Sequence, residues 1–100
     1  MSSPLLLAGT FRSDCAARPV TTCYAIDARA EPGVMPRVLE LFAKRGLIPH
    51  KWRSTASPET LAIEVQVAGL DRDAAEYIGR LMRHIVGVES VLSSEIHTAG

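Results

Sequence analysis

Cysteine is nearly absent: the chain carries two thiols, Cys15 and Cys23, in 100 residues. They lack CxxC spacing and stand far from the histidines, whereas a zinc site asks for four ligands at recognisable spacing. Two reduced thiols in a cytoplasmic protein is the expectation, because nothing else in the sequence points to an oxidising compartment. An excess of one charge is absent as well. Lys+Arg number 11 and Asp+Glu number 11, which removes the basic footprint of a nucleic-acid binder and any pull toward an anionic membrane surface. Long apolar runs are missing too. Leu5-Leu6-Leu7-Ala8 is too short for a signal-peptide core, has no basic residue before it, and falls far below the ~20 residues of a membrane helix.

Catalytic patterns are equally scarce. No Ser-His-Asp, Cys-His, P-loop or dinucleotide motif occurs. His50, His84 and His97 are scattered, and His84 most simply answers a helix dipole. Asp27 and Glu64 can share one sheet face, but a carboxylate pair without a histidine or a pocket aromatic is a poor catalytic signal. The expectation is therefore a chain with no catalytic residue, no metal site and no cofactor, and with neither nucleic acid nor membrane as partner.

What is present is a core. Apolar residues make up 47% of the chain, enough for one packed domain. Residues 1–18, rich in Ser, Ala and Arg and without periodicity, read as a flexible N-terminal arm, and residues 19–97 as the domain. Thr21 to Ala30 predicts a strand, with Tyr24, Ile26 and Ala28 on one face and Cys23, Ala25 and Asp27 on the other. A helix follows. Met35, Val38, Leu39 and Phe42 repeat at i, i+3, i+4, i+7, widened by Val34 and Leu41. Pro36 is tolerated only near a helix start, so the helix begins close to Gly33, and Gly46 ends it. Leu47 to Thr55 is a second extended run, and Pro49 inside it argues for a sheet edge.

After a turn at Ala56-Ser57-Pro58-Glu59, Leu61, Ile63, Val65 and Val67 alternate with Ala62, Glu64 and Gln66, which predicts a strand buried on one face. Asp71 or Asp73 caps a second helix in which Ala74, Tyr77, Ile78, Leu81, Met82 and Ile85 repeat with helical period. Gly87 stops it, and Val88 to Ile96 is the last strand. Strand, helix, strand, strand, helix, strand makes a ferredoxin-like α+β sandwich: a four-stranded antiparallel sheet with both helices on one face. Its expected core is Ile26, Val38, Phe42, Ile63, Val65, Ile78, Leu81 and Ile85.

The stretch Glu31-Pro32-Gly33-Val34-Met35-Pro36-Arg37-Val38-Leu39, continued by Leu41-Phe42-Ala43-Lys44-Arg45-Gly46-Leu47, resembles the opening of an ACT domain. In that family a strand runs into a glycine and then a helix of the type PGVL-x-RV-x-x-LF-x-x-RG. The resemblance runs from the first strand through Val91. Within the family it is most similar to the short small regulatory subunit of acetolactate synthase, an enzyme of branched-chain amino-acid biosynthesis.

The resemblance implies a regulatory module that dimerises and binds an amino acid between protomers. A ligand would lie at Ala30, Glu31, Pro32, Gly33, Val34, Met35 and Ile48, with N–H groups at the helix start suited to a carboxylate. Any catalytic chemistry would belong to a large partner subunit. Small subunits that answer valine usually carry Asn at the places of Ala30 and Ile48, so the amide side chains that would grip valine are missing here. A free-standing sensor of an amino acid or another small metabolite is the alternative.

Gly33 has two readings, close approach of a ligand or a tight strand-to-helix turn. So does Trp52, an interface anchor or a ring folded over its own sheet. The edge position of the second strand predicts a symmetric homodimer through Pro49, His50, Trp52 and Arg53 together with the start of the first helix. An RNA-binding reading needs paired aromatics on the central strands, which the sequence does not supply.

Overall fold

The structure is a computed structural model and describes residues 20–97, with the side chain of residue 97 outside the description. The N-terminal arm expected over 1–18, and Cys15 within it, lie outside the described residues. The elements run β1 (Val20–Arg29), α1 (Val34–Ala43), β2 (Lys51–Ala56), β3 (Thr60–Ala68), α2 (Arg72–Arg83) and β4 (Val88–His97). They form a four-stranded antiparallel sheet in the order β2-β3-β1-β4. This is the ferredoxin-like βαββαβ sandwich that the element order implies. Among the described residues no helix is long and apolar enough to cross a membrane.

The core lies between the sheet and the helices. β1 contributes Tyr24, Ile26 and Ala28, and β3 contributes Leu61, Ile63, Val65 and Val67, all buried. Period-2 alternation through β3 and from Tyr24 onward in β1 sends their small and polar partners to the uncovered face, while at the start of β1 Thr21 and Thr22 are both buried. α1 buries Val34, Val38 and Phe42, and the Phe42 and Tyr24 rings meet at 6.2 Å between centroids. Leu39, expected in that stripe, is 44% exposed. The helix is only ten residues long, and its contact runs along the i, i+4, i+8 line of Val34, Val38 and Phe42, one position away from Leu39.

α2 departs further from expectation. It buries Ala75, Ile78, Gly79 and Met82, while Leu81 and Ile85 are half-buried and Tyr77 is exposed. The cause is Tyr24. Its hydroxyl donates to the Ala75 carbonyl at 2.6 Å, and a Cβ on Gly79 would sit 3.6 Å from its ring. A large ring beneath the helix calls for small residues above it, so the helix turns Ala75 and Gly79 down and rotates Tyr77 and Leu81 outward. Asp71 caps the helix, accepting from the Ala74 N–H at 2.7 Å.

β2 begins at Lys51 rather than Leu47. Pro49 has no N–H to give a ladder, and the first inter-strand bond near it is from the His50 N–H to the Gln66 carbonyl, 3.0 Å.

Candidate functional site

The segment linking β1 to α1 is pinned from two sides. The Arg29 N–H donates to the Gly87 carbonyl at 2.8 Å, and the Ala30 N–H donates to the Glu59 carbonyl at 3.2 Å. The first bond ties the turn to the α2–β4 junction, the second to the β2–β3 hairpin. That hairpin is itself closed at Pro58, where the Ser57 and Thr60 hydroxyls meet at 2.5 Å. Gly87 is required where it stands. Its φ is +98, and a Cβ there would lie 3.0 Å from both the Glu31 carboxylate and a Val34 methyl.

Between the turn and the hairpin lies a hollow of about 220 Å³, lined by Ala30, Glu31, Pro32, Met35, Ala56 and Leu61. Four of the seven residues proposed from sequence as ligand contacts come together there. Gly33 and Val34 do not line it, and Val34 is wholly buried in the core. Ile48 is 86% exposed on the loop before β2 and stands apart from the hollow. Ala56 and Leu61 escaped the sequence reading. They pair across the hairpin, and Leu61 also pairs with Ala28 at the end of β1, so the turn at Pro58 combined with strand register was the signal that places them.

The lining is apolar except for Glu31. Its carboxylate stands 3.3 Å from the Arg29 guanidinium, an exposed pair of little energetic weight. At the helix start the Val34 N–H already donates to the Glu31 carbonyl at 3.2 Å. Arg37 folds back so that a Cβ on Gly33 would meet its guanidinium at 2.6 Å, which places a cation beside the turn that the sequence reading did not anticipate. The hollow suits a small apolar group with a charge at its rim. Its lining holds no serine, threonine, cysteine, histidine or lysine.

Pro49, His50, Trp52 and Arg53 lie along the β2 edge. Trp52 is opposite Val65, hence on the helix side, and packs half-buried against the core. Arg53 lies on the uncovered face, 3.9 Å from Glu64. On that same face Asp27 accepts from the Ser90 hydroxyl at 3.2 Å. A shallow depression of about 210 Å³ lies there among Asp27, Arg53, Thr55 and Glu64.

Cys23 sits on this face too, and partial burial, helped by the Glu64 charge, pushes its thiol up from 9.0 while Lys51 pulls it down. A raised value means less thiolate. Among the described residues no three His, Cys, Asp or Glu side chains group to hold a metal ion.

A family model described as "ACT-like domain" matches residues 15–99. Among solved structures, the ACT domain from the GTP pyrophosphokinase of Chlorobium tepidum is similar at 12% identity. It has a TM-score of 0.66 and covers 74% of this chain and 96% of that one. An ACT domain protein from Streptococcus pneumoniae matches at 13% identity and TM-score 0.61, covering 76% and 89%. The regulatory subunit of aspartate kinase from Thermus thermophilus, in ligand-free form, matches at 16% identity and TM-score 0.55, covering 77% of this chain and 51% of that one. Identities this low speak for the fold. No curated protein matches.

Proposed function

Since the chain belongs to the ACT-like domain family, a family of regulatory ligand-binding modules, we propose that it is a non-catalytic regulatory subunit, and specifically a small subunit of acetolactate synthase. The observation that carries this reading is the run from Glu31 to Leu47. Its glycine turn and helix resemble those of the small subunit, and the turn forms one wall of the apolar hollow that ends at Ala56 and Leu61. The likeness in fold to the regulatory subunit of aspartate kinase from Thermus thermophilus supports the class of role.

The ligand is a small molecule with an apolar body. The hollow between the turn and the hairpin takes that body, and Glu31 with Arg37 flank its polar end. With Ala30 and Ile48 in place of amides, valine is held weakly or not at all. The protein works as a homodimer, with β2 and the start of α1 near the partner, in the cytoplasm.

Tagged protein purified from its own cells tests the reading. Recovery of a catalytic acetolactate synthase subunit supports it. Recovery of the chain alone, with a small metabolite bound, replaces it with a free-standing sensor.

A further inference from the structure

The sheet has two edges, β2 and β4, and they are built differently. β2 follows Pro49 and carries Lys51 and Arg53, devices that discourage another strand from adding. β4 spans ten residues, VESVLSSEIH, with no proline, lysine or arginine. Two large apolar side chains stand out of it: Leu92 is 71% exposed and Ile96 is 44% exposed. They share one face, opposite Ala25 and Thr21 of β1. The first half of the strand is engaged, because Arg83 reaches from α2 to donate to the Val91 carbonyl at 2.9 Å. The half that begins at Leu92 is where both apolar side chains lie.

We propose that this half of β4 is a self-association seam, pairing antiparallel with β4 of a second copy about a two-fold axis at Ser94. The sequence of the strand favours this register. With the axis at Ser94, Leu92 faces the partner's Ile96 and Ile96 faces the partner's Leu92, so each exposed apolar side chain meets another on the same face. Ser93 faces the partner's Glu95, and Glu89 falls outside the paired stretch. An axis at Leu92 would instead set Glu89 against the partner's Glu95, like charge on like charge. An axis at Ser93 would set both apolar side chains against serines. The contact is isologous and lies at the edge away from Trp52 and Arg53, so it stands or falls apart from any pairing at β2. It is short compared with a standard interface, which makes the association concentration-dependent.

Cysteine cross-linking tests it. The full chain is used with Cys15→Ser and Cys23→Ser, because Cys23 pairs with Ser94 across β1 and β4 and would compete. Directly opposed residues of an antiparallel pair have Cα atoms about 4.5–5.5 Å apart, within disulfide range. Ser94→Cys in this background, under mild oxidation at high micromolar concentration, is expected to give a disulfide-linked dimer. Ser90→Cys, on the same face but away from the axis, should cross-link at least about tenfold more slowly.

Adding Leu92→Lys with Ile96→Lys should abolish the Ser94→Cys dimer, whereas Arg53→Glu at the other edge should leave it unchanged. Equal rates at the two positions would overturn the seam, as would a dimer indifferent to Leu92→Lys with Ile96→Lys. So would a Ser94→Cys chain that stays monomeric. If it stays monomeric until residues 1–19 are deleted, the seam belongs to the chain's own N-terminal segment and not to a second copy.

Discussion

Tyr24 shows what a single residue contributes and how it can be tested. It is fully buried, its hydroxyl is bonded to the Ala75 carbonyl at 2.6 Å, and burial pushes its pKa from 10.0 to about 12 despite the opposing charge of Arg83. Below pH 10 the phenol is protonated in both folded and unfolded chains and adds no pH dependence. Between pH 10 and 12 the unfolded chain releases a proton that the folded chain holds, so stability falls with rising pH. The loss is on the order of 2 kcal/mol by pH 12. Thermal unfolding of the wild type and Tyr24→Phe across pH 9 to 12 checks this: the wild type should lose stability more steeply than the variant. Parallel curves would place the ring hydroxyl in a wetter site than the structure gives it.

The inward direction of Tyr24 was legible in the sequence, because it alternates with Ile26 and Ala28. Its consequence for α2 was not. Periodicity alone scores Leu81 and Ile85 as core. That a phenol 51 positions earlier selects Ala75 and Gly79 instead is a tertiary fact no local pattern contains.

At the scale of elements, α1 was the most legible. Pro36, the apolar spacing and Gly46 bounded it, and its buried face is Val34, Val38 and Phe42. Phe42 is fully buried and touches the ring of Tyr24. Phe42→Ala should cost roughly 3–5 kcal/mol, a large part of what holds so small a domain together. An unchanged melting temperature would contradict its place in the core. β2 was less legible, because a run of extended propensity cannot reveal that the ladder waits until after Pro49.

The candidate site was half legible for a related reason. Ala30, Glu31, Pro32 and Met35 lie in one segment and were visible together. Ala56 and Leu61 arrive from a hairpin whose register only the folded sheet fixes. Ile48, placed in a site between protomers by resemblance, is exposed on the loop before β2 and apart from the hollow of its own protomer. Calorimetry with valine measures what this arrangement does: binding should be absent or weaker than micromolar. Ala30→Asn should recover part of it, because residue 30 lines the hollow. Micromolar affinity in the wild type would mean that valine is gripped without the amides.

At the scale of the molecule, the order of elements was enough to give the sandwich, since two βαβ halves with right-handed crossovers leave few other arrangements. What surrounds the sandwich was not enough. Among the described residues one sheet face is uncovered and two edges are open, one guarded by Pro49, Lys51 and Arg53 and the other carrying Leu92 and Ile96. Under the proposed regulatory role, another protein would lie against these borders.

The most direct measurement is therefore reconstitution. Purified catalytic subunit of acetolactate synthase is assayed alone and with a molar excess of this chain, and the mixture is run on a sizing column. The regulatory-subunit account predicts co-elution and a turnover several-fold different from that of the catalytic subunit alone, with the change lost when Phe42→Ala protein is added instead. Separate elution with unchanged turnover would contradict it.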